Sequence, residues 1–363
     1  RDDVDRREPP PDPTPRRRSV ARPWMGEKEE DYEEIRHLGQ GAFGEVVLSR
    51  RRSDGELCAV KRLRKGAEMT AGEANEHVAE VRALQQLNHP GILRYFGSLQ
   101  DKDRLSLIME YADAGDLQQL MKRRADSGRA FFEPMAVLSI FAQIAAAVAH
   151  VHLNRVLHRD LKPSNVLLTT VGLVKLGDFG VAKVMAGTTI QAQMTCVGSP
   201  TYMAPEIVGG EPYGRACDVW SLGVVFYELC SFKRPFEGRS LGELIMRVTS
   251  GKYEALSGRV SGPAGESLVA TATPLVERML VVEPSRRATM PHLVVSPPLD
   301  LLVLSQGATA ATVASLLRED DEEPPQQAAD GDARGLGTIP EAEGNATVKQ
   351  PPQLPPRRAA SPQ

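Results

Sequence analysis

The sequence predicts an α+β chain in two parts, a small five-stranded β part followed by a larger, mainly helical part. The first pattern behind this reading is a set of strand-like segments concentrated in the first third of the chain. Tyr32-Glu33-Glu34-Ile35-Arg36-His37-Leu38 alternates well enough to enter a strand, and Val46 to Ser49, Leu57 to Lys61, Ile92 to Phe96 and Leu105 to Met109 follow as short apolar runs. The second pattern is the longest apolar run, Met135 to Val151, which is rich in alanine and interrupted by Ser139, Gln143 and His150. It suits a buried core helix better than a bilayer span, so no membrane insertion is expected.

The chain has 363 residues, ample for a large buried core, and a net charge of −3. That balance gives no electrostatic reason to expect nucleic acid as a partner. Cys58, Cys196, Cys217 and Cys230 form neither a CxxC pair nor a His/Cys ligand spacing; they predict reduced thiols in an intracellular protein rather than a zinc site or a disulfide framework. Residues 1–31 hold Pro9-Pro10-Pro11, Arg16-Arg17-Arg18 and scattered acids with few large apolar side chains, and are expected to be a disordered leader. Because the chain starts at Arg1 rather than methionine, the true N-terminus is expected to be missing.

Gly39-Gln40-Gly41-Ala42-Phe43-Gly44-Glu45-Val46 has GxGxxG spacing, which alone fits two folds. A dinucleotide site would need a helix next and an acid about 20 residues on. Here strand-forming residues follow instead, favouring a hairpin lid over ATP phosphates in which glycines let backbone amides approach the oxygens. Lys61 ends a later strand. His158-Arg159-Asp160-Leu161-Lys162-Pro163-Ser164-Asn165 then brings a carboxylate, a lysine and an amide at the spacing that phosphoryl transfer to a hydroxyl requires, and Asp178-Phe179-Gly180 and Ala204-Pro205-Glu206 follow.

In this order the motifs resemble those of the protein kinase superfamily, over about residues 32–298. The resemblance implies a bilobal kinase fold. A small lobe (32–109) would carry five strands and an αC helix, a hinge (110–112) would join the lobes, and a large helical lobe (113–298) would complete the domain. It also implies that Asp160 orients the acceptor hydroxyl and takes its proton, that Lys162 stabilises the moving phosphoryl, and that Asn165 and Asp178 hold Mg²⁺ on the phosphates of ATP. Lys61 would grip the α- and β-phosphates, paired with Glu80 in the helical pattern Ala71 to Leu87; Glu73 and Glu76 nearby are alternatives to Glu80 or else solvated helix-face charges. The nucleotide would further touch Leu38, Gly39, Gly41, Gly44, Val46 over the adenine, Ala59, the gatekeeper Met109, the hinge residues Glu110 and Ala112, and Leu167 beneath the adenine. Asp116 would bind a ribose hydroxyl, cap the helix it precedes, or do both. Glu206 is expected to pair with Arg287, and Asp218, opening a central helix, to brace the catalytic loop.

Lys162, and Ser199 before Pro200, resemble the serine/threonine branch, with protein Ser/Thr hydroxyls as acceptors. Gly177, Thr195-Cys196-Val197-Gly198, Tyr227-Glu228-Leu229-Cys230 and Ser250-Gly251-Lys252-Tyr253 resemble the NIMA-related kinases. Gly198-Ser199-Pro200-Thr201-Tyr202 departs from that group's pattern, and this leaves another serine/threonine group, such as the kinase-activating kinases, open. A pseudokinase or scaffold is the alternative of the same fold, disfavoured because Lys61, Glu80, Asp160, Asn165 and Asp178 are all present. Ser164 stands where basophilic kinases carry a glutamate, which removes one reason to demand arginine in the substrate. The resemblance implies activation by phosphorylation of Thr195, by an upstream kinase or by itself, with Arg159 and Lys183 receiving the phosphate; Thr188, Thr189 and Thr201 compete. A cytoplasmic location is expected, with cytoskeletal, centrosomal or ciliary association implied by the family. Residues 299–363 begin with apolar Leu299 to Leu304, pass a short helical pattern over Thr309 to Leu317 and turn acidic; they are expected to be mostly disordered. Within them Pro352-Gln353-Leu354-Pro355-Pro356-Arg357 fits a segment that an SH3 domain can grip.

Overall fold

The computed structural model describes residues 27–41, 44–63, 87–101, 104–128, 131–179 and 200–321. Five antiparallel strands form one sheet: β1 (Tyr32–Gly41), β2 (Gly44–Arg51), β3 (Leu57–Leu63), β4 (Tyr95–Asp101) and β5 (Arg104–Glu110), in the order β1-β2-β3-β5-β4. Strand alternation decides what reaches the interior. In β3, Cys58 and Val60 join Tyr32, Val47, Leu99 and Ile108 in a small core on one face, while Ala59 and Leu63 belong to the main core on the other. The period of two therefore sends Lys61 to the same face as Ala59. The run expected as a strand over Ile92 to Phe96 enters the sheet only at Tyr95. Ile92 and Leu93 are committed elsewhere, to a parallel bridge in which Leu93 N–H donates to Leu176 O (2.8 Å) and Leu176 N–H to Gly91 O (2.8 Å).

After the sheet, α1 (Leu117–Asp126), α2 (Pro134–Leu153) and a two-stranded hairpin of β6 (Val166–Leu168) and β7 (Val174–Leu176) precede α3 (Pro205–Val208), α4 (Arg215–Ser231), α5 (Leu241–Ser250), α6 (Pro263–Met279) and α7 (Met290–Val294). A five-stranded β lobe followed by a helical lobe is the α+β, bilobal arrangement expected from the sequence. Proline at the first position fixes φ where the N–H has no intrahelical partner, and so starts α2. Nearly every side chain of α2 is buried, on more than one face, and Phe141 stacks on Phe226 of α4 with ring centroids 3.8 Å apart. By length and composition α2 could cross a membrane, but it is the core helix of the large lobe.

Two expectations about the ends are corrected. Residues 27–31, assigned to a disordered leader, lie on the sheet. They are held by ionic and polar contacts rather than apolar ones, which is why apolar content did not reveal them: Arg62 Nε donates to Glu29 (2.8 Å), and Arg52 N–H to Asp31 O (2.8 Å). Residues 299–321, assigned to a mostly disordered tail, form α8 (Leu299–Leu304) and α9 (Gln306–Asp321) against α2. The expected short helix lies within α9. Leu299, Val313, Leu316 and Leu317 are buried there, Arg124 pairs with Asp320 at 2.5 Å, and Gly172 (φ +79°) lets α9 approach so closely that a Cβ would stand 1.8 Å from Ala310 O. Residues 1–26 and 322–363, with the Pro352 to Arg357 segment, lie outside the described residues.

Deleting residues 299–321 should therefore strip the outer face of α2. Burial of a large apolar side chain contributes about 1.5–3 kcal/mol, so a net loss of several kcal/mol is expected, lowering the Tm by on the order of 10 °C. Thermal unfolding of chains ending at 298 and at 321 measures this; equal Tm values would contradict the packing role.

Candidate active site

The 158–165 loop is organised by one buried carboxylate. Asp218, in the first turn of α4, is 1% exposed; its Oδ1 accepts Arg159 N–H (2.9 Å), and its Oδ2 accepts His158 N–H (2.9 Å) and lies 2.9 Å from His152 Nε2. Burial alone would raise the Asp218 carboxyl, but the hydrogen bonds with His152 and from the His158 N–H outweigh it and hold the group below the usual range. Arg159 sits at φ +66°, a region costly for a residue with a Cβ, and the bond from its N–H to Asp218 helps to offset that cost. His158 is fully buried, and burial pushes its imidazole down against the pull of Asp218 and Asp160, leaving it neutral. A neutral ring fits its contacts: Nδ1 accepts Asp160 N–H (3.4 Å) while Nε2 donates to Gly177 O (3.1 Å), and the ring packs on Phe179 with centroids 4.6 Å apart.

Held this way, the loop brings its polar groups together. Lys162 Nζ donates to Asp160 Oδ2 (2.9 Å), and Asn165 Nδ2 donates to Asp160 O (2.7 Å) and Asp160 Oδ2 (3.0 Å). With Nδ2 committed, Oδ1 is the acceptor that Asn165 offers to a cation. Asp178, at φ +47° after β7, faces Lys61, whose Nζ lies 2.5 Å from Asp178 Oδ1. The sequence also expects Glu80 as a partner for Lys61, and Glu80 lies outside the described residues. Ser199, Thr195, Lys183 and Gly180 also lie outside them.

Of these groups, Asn165 and Asp178 open onto a cleft of about 450 Å³. Leu38, Val46 and Ala59 line it from the sheet, Leu167 from β6, and Met109, Glu110 and Ala112 from the segment joining the lobes, with Gly39, Asp116, Asn165 and Asp178 also at its surface. Apolar walls with a few converging polar groups are the usual make-up of a small-molecule site. Asp116 caps α1, accepting Gln119 N–H (2.9 Å); its burial raises the carboxyl despite backbone hydrogen bonds that oppose the shift. The cap is the half of the expected pair of roles that the geometry displays. Gly44 is needed for a reason the sequence did not reveal: at φ +151°, a Cβ there would stand 1.9 Å from Arg62 O, so glycine permits the β2–β3 pairing itself. Gly41 pairs with Gly44 at the end of β1, and residues 42–43 lie outside the described residues.

Sequence reading also missed the residues that fix the joining segment. Buried Lys175 donates to Glu110 Oε2 (2.9 Å) and Pro90 O (3.0 Å), and Asp113 accepts both N–H and hydroxyl of Thr170 (2.8 Å each). The signal for Lys175 was a lysine between valine and leucine in a three-residue strand, where a charge needs a partner. The Glu206 and Arg287 pair is present: Arg287 Nη1 and Nη2 reach Glu206 at 2.8 and 3.0 Å, and its remaining donors meet the carbonyls of Ala216, Val281 and Val282.

Residues 32–298 match the protein kinase domain, and the chain belongs to the protein kinase family. Among its relatives are serine/threonine kinases of the NIMA-related group. It is 34% identical over 273 residues to human serine/threonine-protein kinase Nek5, an alignment covering 75% of this chain and 37% of that protein. Against zebrafish (Danio rerio) serine/threonine-protein kinase Nek8 the identity is 37% over 259 residues, or 71% of this chain and 35% of the relative. Human serine/threonine-protein kinase Nek2 is 34% identical over 289 residues, 78% of this chain and 62% of Nek2. The chain thus spans less than two thirds of these relatives. At the level of family and group, the resemblance read from the motifs is borne out.

The charge on Asp218 has a measurable consequence. A carboxyl whose folded pKa lies below its unfolded value stabilises the fold above the unfolded pKa, and that contribution disappears as pH falls through the folded pKa. Asp218→Asn is expected to cost about 3 kcal/mol at pH 7, with the gap from wild type narrowing below about pH 3.9. Urea unfolding at neutral and acid pH measures the gap; a pH-independent difference would show that the charge is not what holds the loop.

Proposed function

We propose that this chain transfers the γ-phosphoryl group of Mg-bound ATP to serine or threonine hydroxyls of protein substrates. The observation that carries the reading is the meeting of two polar clusters, Asp160 with Lys162 and Asn165, and Lys61 with Asp178, linked where Asn165 Nδ2 donates to Asp178 O (3.4 Å), with Asn165 and Asp178 opening onto the cleft. Asp160 orients the acceptor hydroxyl and receives its proton. Lys162 stays beside that carboxylate and faces charge developing on the transferred group. Adenine lies between Val46 and Leu167, against Met109 and the backbone of Glu110 and Ala112. Lys61 exchanges its contact with Asp178 for phosphate oxygens when the nucleotide enters.

Asn165 Oδ1 and the half-exposed Asp178 carboxylate suit magnesium, which binds through one or two protein oxygens and completes its shell with phosphates and water. Among the described residues no group of three or more His, Cys, Asp or Glu side chains would hold a metal by protein ligands alone. When bound, the ion would neutralise charge on the bridging phosphates. The proposal extends to activation by a phosphate on Thr195, supported by the cation at Arg159 immediately before Asp160.

Lys61→Met and Asp160→Asn should each lower kcat/KM by roughly 10²-fold or more while leaving the Tm close to wild type. Transfer from labelled ATP to generic protein substrates, with phosphoamino-acid analysis, measures both rate and acceptor. Undiminished turnover in a stable variant would refute the assignment of that residue, and phosphotyrosine as the main product would refute the acceptor class.

A further inference from the structure

We propose that the large lobe carries a cationic subsite for a carboxylate or phosphate on the protein substrate, next to the turn that leads into Ala204-Pro205-Glu206. The inference rests on the kinase reading and narrows its substrate class. A cavity of about 490 Å³ opens between the Pro200–Tyr202 turn, the loop after α4 and the helix α5. Its base is rigid: Phe236 is fully buried and stacks on Trp220 with centroids 5.3 Å apart, and Thr201 is 8% exposed. Arg234, Arg239 and Arg247 supply three cations to its lining against the two carboxylates of Glu237 and Glu243, an excess of one positive charge.

The carboxylates are not equally available. Glu243 is spent inside the wall, where Oε2 accepts Arg239 N–H (2.8 Å) and Oε1 accepts Arg247 (2.8 Å). Behind the cavity, Glu228 is spent as well, accepting Tyr202 O–H (2.6 Å) and Arg234 Nε (3.4 Å). These bonds hold Arg234 and Arg247 in place while leaving further guanidinium N–H donors, since arginine carries five. The guanidinium of Arg239 makes no hydrogen bond or ion pair with the described residues, and the Arg247 side chain is 54% exposed. A guanidinium so placed is matched by a planar carboxylate or a phosphate, which it can grip through two parallel bonds. The same arrangement disfavours a basic substrate side chain, because Glu243 and, beyond the lining, Glu228 already accept hydrogen bonds from arginines of the wall. Among the described lining residues, the exposed Glu237 is the one carboxylate left to oppose an incoming anion.

The test uses the full chain with Mg-ATP and a peptide series built on one serine, carrying alanine, glutamate, phosphoserine or lysine in turn at each neighbouring position. For at least one position, wild type is expected to show kcat/KM about fivefold higher with the anionic residue than with alanine, an increment typical of one exposed ion pair. The gain should lie mainly in KM and shrink as salt is raised. Arg239→Glu should reverse the order in favour of lysine, and Glu237→Gln should enlarge the anionic preference. A benefit from phosphoserine alone would assign the subsite to phosphate, and a benefit from both residues to anions in general. A flat profile in wild type, or an anionic preference that Arg239→Glu leaves intact, would overturn the subsite. Absence of turnover with every peptide and with generic protein would instead overturn the kinase reading beneath it.

Discussion

A single buried carboxylate carries the large lobe's chemistry. Asp218 takes two consecutive backbone N–H groups, those of His158 and Arg159, and meets His152 from α2. It thereby joins α4, α2 and the 158–165 loop at one point and holds Arg159 in a conformation that residues with side chains avoid. The two positions that follow inherit this geometry. Asp160 is turned toward Lys162 and Asn165, and the neutral His158 ties the loop to Gly177, next to Asp178. A buried acid without such donors would take a proton instead; here hydrogen bonds outweigh desolvation and preserve the charge.

The second constraint is the way the sheet is fastened to the helical lobe. Lys175 links Glu110 to Pro90, Asp113 clasps Thr170, and the Gly91 to Leu93 stretch bridges Leu176. All of these contacts run through the β6–β7 hairpin or its turn, so one short hairpin positions the segment joining the lobes and the strand leading into Asp178. The cleft lies between these fixtures. Lys61 crosses it from β3 to Asp178, a contact between groups of opposite charge that a nucleotide and its metal can replace with phosphate oxygens.

The lobes, most strand segments and the motif residues were legible in the sequence because each depends on local pattern. The ordered motifs singled out Asp160, Lys162 and Asn165, which the structure brings into contact. What escaped depends on partners distant in the chain. Ile92 and Leu93 have strand-like side chains yet bond to β7; α9 is alanine-rich and weakly patterned, and it is ordered by the apolar face of α2 and the Arg124–Asp320 pair. The acidic residues at 27–31 look like a solvated leader until Arg52 and Arg62 are brought beneath them. Gly44 was read as a phosphate-loop glycine, whereas the close passage of Arg62 O already demands it.

The most direct measurement is a titration of a non-hydrolysable ATP analogue into the chain, with and without magnesium, comparing wild type with Asp178→Asn. If Asp178 and Asn165 hold the ion on the phosphates, magnesium should tighten binding in wild type by about tenfold or more, corresponding to ~1.4 kcal/mol, and should add little in the variant. Equal magnesium enhancement in both proteins, or nucleotide binding that ignores magnesium in wild type, would contradict the proposed site.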